Sequence, residues 1–345
     1  MSDQAAYHEL VEPYRSELHA HCYRMLGSIQ DAEDALQDAL TNAWRGLPRF
    51  EGRSSLRAWL YRIATNVCLK SIERRPRRVL PIDHGPAADP HDAPAEPLTE
   101  AVWIEPYPDV RLGPDSADAW PDARYERRES VELAFIAALQ HLPPRQRAVL
   151  ILRDVLGFSG AEVADVLETT PASVYSALQR AHRTVEERLP ARSQQAALRA
   201  LGDERLSELV DRYVQAWERG DVDGVVALLT EDATITMPPR PTWYRGRPAA
   251  ARFLREFPLA RPGGSLLLPA HVSGQLAFAH YFGDPRRERF AAHGISVLTL
   301  SGARIADITT FLAPELFERL GVPVTVRTAD AGRPRRDRTA AAGRS

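Results

Sequence analysis

A chain of 345 residues is long for a single domain and implies two or three. Its 44 basic and 46 acidic side chains leave a formal net charge of −2, which excludes a uniformly cationic nucleic-acid-coating protein; any charged partner must be met by segregated patches. Cys22 and Cys68, the two cysteines, exclude a disulfide framework and a C-x-x-C zinc site. No apolar run has the length of a membrane span and no signal peptide is present, so a cytoplasmic protein without a membrane partner is expected.

A first helix is predicted over residues 7 to 26, with Leu10, Tyr14, Leu18, Tyr23 and Leu26 as apolar positions and Gly27 as its stop. His8, His19 and His21 lie on it without a cysteine or an acidic pair to complete a ligand set, so neither a metal nor a cofactor is expected. The acidic run DAEDALQDALTNAWRGL, Asp31 to Leu47, follows. Ala35, Leu36, Ala39, Leu40 and Ala43 fall at helical spacing, while Asp31, Glu33, Asp34, Gln37 and Asp38 stay off that stripe. Ser54 or Ser55 then caps SSLRAWLYRIATNVCLKSIERR, whose apolar face is Leu56, Trp59, Leu60, Ile63 and Val67. The opposite face carries Arg57, Tyr61, Arg62, Thr65, Asn66 and Lys70, and Arg53 to Arg78 holds eight basic residues against the single acid Glu73. An acidic helix beside a basic one with Asn, Thr and Tyr on its wet face points to one protein partner and one nucleic-acid partner.

Residues 79–125 hold nine prolines and ten acids against two arginines, a composition unable to bury enough apolar surface to fold alone. Within this linker Trp103 to Asp109, WIEPYPD, has the aromatics of a docking segment. Residues 126–190 read as helices: Arg128–His141, then RQRAVLILRDVLG, then AEVADVL capped by Ser159, then PASVYSALQRAHRTVEERL capped by Thr170 with Pro171 in the first turn. Ala164, Leu167, Val174, Leu178 and Ala181 have the spacing that packs a helix-turn-helix. From Asp203 the pattern changes. An amphipathic helix ending at Gly220, a short helix Val222–Leu229, a helix over Pro248–Phe257 and strands at Ala233–Met237, Ser265–Val272, Leu276–Phe282, Phe290–Leu300 and Arg304–Phe311 predict an α+β cone, a curved sheet wrapped over helices. Asp232 and Asp307 are read as turn caps, and the basic residues after Pro323 as a disordered tail, 324–345.

Three sets of motifs carry resemblances. DAED-x-x-Q-D followed by F-x-G-x-x-S-x-R-x-W-L-x-R-I-A-x-N resembles region 2 of bacterial sigma-70 family initiation factors, in the short form of the extracytoplasmic-function group. The resemblance implies that Asp31, Glu33, Asp34, Gln37 and Asp38 grip core RNA polymerase. It implies that Arg57, Tyr61, Arg62, Thr65, Asn66 and Lys70 open the −10 element of promoter DNA. LPPRQRAVLILRDVLGFSGAEVADVL is similar to sigma region 4, whose last helix reads the −35 element from the major groove. On that helix Ser173, Tyr175, Ser176, Gln179, Arg180 and Arg183 are the implied contacts. Tyr175 and Ala177 stand where many relatives carry Lys and Arg, which implies fewer phosphate contacts and a smaller salt dependence. The resemblance also admits an anti-sigma factor as a further partner.

VQAWERGDVDGVVALLTEDA, WYRGR and GARIADITTF resemble the SnoaL-like polyketide-cyclase group of the nuclear transport factor 2-like fold. That fold encloses a pocket, for which Tyr213, Trp217, Trp243, Phe253 and His271 are lining candidates, with Met237, Tyr244, His280, Phe282 and His293 behind them; no ligand is assigned and no catalytic residue aligns. The expected organisation is therefore multidomain. Two all-α domains (7–78, core-polymerase and −10 binding; 126–190, helix-turn-helix, −35 binding) are joined by the acidic linker and followed by the cone at 203–323. The function implied is an alternative sigma factor, not an enzyme, with the cone modulating it in cis. Two rivals, a helix-turn-helix regulator with a sensing domain and a cyclase- or isomerase-type enzyme with a DNA-binding appendage, need neither the acidic helix nor the long linker.

Overall fold

Pro13 interrupts the first helix. In the computed structural model α1 runs Asp3–Val11, a 3-10 turn covers Glu12–Tyr14, and α2 runs Arg15–Leu26. The break follows from the missing proline N–H. Gly27 ends α2 with φ +71°, the left-handed C-cap that the sequence predicts. Residues 3–112 apart from 53, 99 and 101, and 126–331 apart from 285 and 287, are described. The chain forms two compact units. One joins Met1–Val79 to Ala101–Ala191; the other joins Leu80–Glu100 to Arg192–Ser345.

In the first unit α3 (Ile29–Gly46) and α4 (Leu56–Ile72) are capped by the Ser28 and Ser55 hydroxyls, which accept from Asp31 N and Ala58 N. α2, α3 and α4 pack mutually around Leu18, Cys22, Tyr23, Ile29, Ala32, Leu60, Ala64 and Cys68, all essentially without solvent exposure. Leu133–His141 (α5), Pro144–Leu150 (α6, continued by one wide π turn to Val155), Gly160–Val166 (α7) and Pro171–Glu186 (α8) follow. A reciprocal Ser159–Glu162 capping box starts α7 and Thr170 caps α8. The last linker stretch belongs to this unit. Trp103, Ile104 and Tyr107 are buried, the Tyr23 hydroxyl donates to Glu105 O at 2.6 Å, and the Glu105 carboxylate accepts from Ile29 N at 2.7 Å, at the start of α3.

The second unit begins earlier than residue 203. Gln194–Leu201 (α9) is seated by two buried glutamines: Gln194 exchanges hydrogen bonds with both N and O of Leu300, and Gln195 Nε2 donates to Gly274 O. Asp203–Arg219 (α10), Val222–Ala227 (α11) and Arg247–Glu256 (α12) lie with a seven-stranded sheet. The strands are β1 Leu229–Thr236, β2 Trp243–Arg245, β3 Ser265–Val272, β4 Gln275–Asp284, β5 Arg289–Ser301, β6 Arg304–Phe311 and β7 Thr325–Arg327. Their order is β2-β1-β6-β5-β4-β3 with β7 on β5; only β1 and β6 pair in parallel.

Two expectations need correction here. Thr325–Arg327 is a strand on β5 and Thr328–Ala331 a helical turn, so disorder does not begin at 324; the RPRRDR segment lies outside the described residues. Asp307 ties strands instead of capping a turn, accepting from Thr234 and Thr309 hydroxyls.

The first unit also stores a pH response. His21 is fully buried with Nε2 at 2.9 Å from Thr65 Oγ1, and burial pushes its pKa down to about 3. His19, at 2.8 Å from the Tyr107 hydroxyl, is pushed down to about 4 by burial and then by Arg111. Below the unfolded value near 6.5 the unfolded chain takes up protons that the folded chain refuses, so stability falls as pH drops. Urea denaturation between pH 6.5 and 5 should lose about 1.4 kcal/mol per pH unit for each such histidine. His21→Gln should lower stability at pH 7 yet flatten that slope by one proton; an unchanged slope would contradict the assignment.

Candidate functional site

The acidic helix α3 is open along Asp34, Gln37 and Asp38, which are exposed, while Ala35, Leu36, Ala39 and Ala43 face the core. Asp31 is not on that open face. It is 6% exposed, with Oδ2 taking both Nε and Nη2 of Arg78 and Oδ1 ion-paired to Arg75. Arg78 Nη1 continues to Trp103 O at 2.9 Å, so Asp31, expected to meet polymerase, instead anchors the linker through Arg78. Glu33 is half-buried and meets Arg111 at 2.6 Å.

The basic helix divides in the same way. Tyr61 and Thr65, expected on the wet face, are fully buried. The Tyr61 hydroxyl donates to Glu17 at 3.1 Å, its ring stands edge-on to Phe158 at 5.3 Å, and Thr65 holds His21. Arg57 pairs with Glu17 at 3.1 Å and lies 4.7 Å from the Phe158 ring centre. Arg62 is exposed and meets Glu168, between α7 and α8, at 2.5 Å. Asn66 and Lys70 remain exposed. The physical reason is that α2 packs along this stripe through Glu17 and His21, and Phe158 from the helix-turn-helix covers its start, while Leu56, Trp59, Ile63 and Val67, the predicted core face, are only half-buried.

On α8 the outer positions are as expected: Ser173, Tyr175, Ser176, Gln179, Arg180 and Arg183 are exposed and Val174, Ala181 and Val185 buried. The Ser173 amide is the one capped, donating to Thr170 Oγ1. Tyr175 lies over the first residue of α7, where a Cβ on Gly160 would come within 3.0 Å of its hydroxyl oxygen. Tyr175 is thus partly a packing residue of the turn, which accounts for a ring standing there in place of a cation.

In the second unit a cavity of about 390 Å³ is lined by Trp217, Ile235, Met237, Phe253, Leu254, Ile308, His280 and His293 within the cone. Arg240, Glu256, Arg261 and the linker residues Ala93, Pro94 and Glu96 also line it. Trp217 and Phe253 are therefore lining residues. Tyr213 is not: it is fully buried in the core against Phe278 at 5.4 Å. Trp243 is not either, since its Nε1 donates to Gly85 O at 2.8 Å and holds the linker. His271 is exposed on β3. The β3–β4 register puts His271 on the same face as His280, but on the edge strand β3 it is left exposed. Gly294 stands opposite His280 in the β4–β5 ladder, and the β5 side chain beside the imidazole is that of His293, with ring centres 5.9 Å apart. The linker residues were invisible to a sequence reading because their composition signals only a tether.

An acidic helix, a basic helix and a helix-turn-helix in one unit, with a cavity-bearing cone in the same chain, define a modular DNA-binding protein with an appended small-molecule-type fold. Three family matches agree: sigma-70 region 2 over residues 10–78, sigma-70 region 4 over 132–185 and a SnoaL-like domain over 210–308. The ECF RNA polymerase sigma factor SigG of Mycobacterium tuberculosis is 44% identical over 317 residues, spanning 91% of this chain and 83% of that one. SigJ of the same organism is 28% identical over 344 residues, 95% of this chain and 98% of that one. The crystal structure of SigJ superimposes with a TM-score of 0.55 at 23% identity, over 92% of this chain and 99% of that one, and so shares the fold. The chain belongs to the extracytoplasmic-function RNA polymerase sigma factor family and carries a SnoaL-like domain after region 4. Among the described residues no helix is long and apolar enough to cross a membrane.

The contact between α4 and the helix-turn-helix is separable into parts. The Arg62 and Glu168 side chains are 48% and 67% exposed, so solvent screens their attraction. A double-mutant cycle of Arg62→Ala and Glu168→Ala, read by urea denaturation, should give a coupling of no more than about 1 kcal/mol. Phe158→Ala, a buried aromatic, should cost about 3–5 kcal/mol.

Proposed function

We propose a division of labour among these elements in promoter-specific transcription initiation. Asp34, Gln37 and Asp38 form the patch on α3 that engages core RNA polymerase. Asn66 and Lys70, joined by Arg62 once Glu168 is released, present α4 to the −10 element. Gln179, Arg180 and Arg183, with Ser173, Tyr175 and Ser176 beside them, present α8 to the −35 element; Gln suits adenine and Arg suits guanine or phosphate. The observation that supports this reading is the exposure, within one unit, of the acidic face of α3 and the outer face of α8. Because Phe158 covers Tyr61 and Arg57, the arrangement is a resting one, and promoter opening requires the helix-turn-helix to leave α4. The protein acts in the cytoplasm, where polymerase and promoter are. The cone modulates this activity in cis and is not itself the source of a catalysed reaction. Its handle is the linker: Ala88 N donates to Trp243 O, Ala95 N to Thr242 Oγ1 and Leu98 N to Pro239 O.

Reversing charge with Asp34→Lys and Asp38→Lys should abolish capture of core polymerase while changing stability by no more than about 0.5 kcal/mol, since both side chains are exposed. Retained capture would remove the polymerase role from this face. Run-off transcription with purified core polymerase tests the whole assignment. A chain ending at Ala191 should keep promoter choice and change transcript yield; equal yield would remove the cone from regulation, and loss of promoter choice would make it part of the initiation machinery.

A further inference from the structure

Where the end of α4 meets the turn between α5 and α6, the first unit has a recess of about 400 Å³. Arg75, Arg77, Arg78 and Arg147 stand on its wall, with Asp31 as the one carboxylate among the described residues. Leu26, Ile72 and Leu142 supply apolar wall beside them. Arg78 and Arg147 are buried, whereas Arg75 and Arg77 are exposed. Four guanidinium groups around one carboxylate repel one another, and the repulsion is least screened where solvent is partly excluded. It is visible at Arg147, whose pKa is lowered to about 10 by burial first and by the Arg77 charge second. Such a wall is relieved by negative charge brought from outside.

The donors left over narrow the class. Asp31 spends Oδ2 on Nε and Nη2 of Arg78 and Oδ1 on Arg75, so both carboxylate oxygens are committed. Arg75 pairs through Nη1 alone, and Arg77 has no ion-pair partner among the described residues. Arg147 gives its two terminal nitrogens to the carbonyls of Met25, Gln140 and Leu142 and to Gln140 Oε1, yet its buried Nε meets no partner. A buried donor without an acceptor is costly, and more so on a charged group. The open donors are thus of one kind, planar guanidinium N–H groups, whose fork matches the oxygens of a phosphate.

We propose that this recess binds a small phosphorylated molecule through a terminal phosphate or pyrophosphate group, with Arg75 and Arg77 as its direct contacts and Arg78 and Arg147 supplying charge from the buried wall. The volume lies in the range of small-molecule sites. A terminal pyrophosphate brings several negative charges to one point, which matches the excess of cations; a phosphodiester of duplex DNA brings one, on a surface that does not enter a recess. The site is separate from the promoter contacts proposed above, which use Arg62, Asn66 and Lys70 of α4 and the outer face of α8, and it does not rest on them. Its walls come from region 2 and from the start of region 4, so an occupant touches both.

The test is isothermal titration of the full-length chain with sodium pyrophosphate at about 0.15 M ionic strength, where diffuse attraction is largely screened. One saturable site is expected. Arg77→Gln, which breaks no ion pair among the described residues, should weaken binding about tenfold, the worth of a charge-assisted hydrogen bond. Arg75→Gln should weaken it by a similar factor. Arg74→Gln removes the same charge from an exposed neighbour that does not line the recess, and should change binding less than about twofold. Amide hydrogen exchange should slow over residues 72–78 and 140–147 when pyrophosphate is bound. The melting temperature should rise with pyrophosphate concentration, and rise less in Arg77→Gln. Absence of a saturable site, or equal weakening by Arg74→Gln and Arg77→Gln, would mean diffuse ion attraction and would overturn the proposal. Protection confined to α8 would place the anion elsewhere and overturn it as well. If pyrophosphate fails to bind while a short DNA duplex of unrelated sequence binds and is weakened by Arg77→Gln, these arginines serve DNA and the small-molecule site does not exist.

Discussion

Buried guanidinium groups at the meeting points of helix ends hold the first unit together. Arg147, 3% exposed, donates to Met25 O at the end of α2, to Gln140 Oε1 and O near the end of α5, and to Leu142 O. Helix C-termini leave carbonyls without intrahelical partners, and one planar five-donor fork satisfies several at once. Burial lowers its pKa to about 10, which still leaves it charged at neutral pH. Arg24 does the same between α2 and the start of region 4, reaching Ser130 Oγ at 2.7 Å and Ser130 O at 3.2 Å. A cation buried against carbonyls in this way is costly to uncouple, because removing one partner strands the other. The packing of region 4 against region 2 therefore depends on a few directional contacts as well as on apolar area.

That division explains which parts of the site were legible in the sequence. The open residues of α3 and α8 follow from helical periodicity and capping, since a stripe of Ala, Leu and Val fixes which side is wet. Asp31, Arg57, Tyr61, Thr65 and Arg78 did not follow. Periodicity separates one apolar face from the rest; it does not show that a second, polar stripe is covered by another part of the chain. Glu17, Phe158 and Trp103, which cover those residues, lie 40 or more positions from Arg57 or 25 from Arg78. Arg78, one of the eight basic residues between Arg53 and Arg78, is occupied by the Asp31 carboxylate and the Trp103 carbonyl.

In the cone the strands were readable by alternation, yet β2 and β7, three residues each, were too short to carry a period. The cavity was half readable. Inward-facing aromatic and histidine positions follow once the register is known, but His271 and His280 share a face and differ only in that β3 is an edge strand, which no periodicity shows. α9 was missed because it is short and its seat is mixed: Gln194 completes the hydrogen bonding of Leu300, while Ala197, Leu198 and Leu201 are only partly buried against the cone's core.

The linker shows how composition can mislead about order. Its prolines and acids deny it a core of its own, but they do not prevent it from using the surface of folded partners. Proline fixes φ in advance and so reduces the entropy lost when such a segment is held. Leu80–Glu100 lies on the cone through backbone hydrogen bonds, and Val102–Tyr107 lies on region 2 through buried aromatics. The acids of the linker are not all solvated. Glu105 meets the amide of Ile29 at the positive end of α3, where a carboxylate is stabilised by the helix dipole as well as by the bond. A segment held at both ends in this manner can be released from either end.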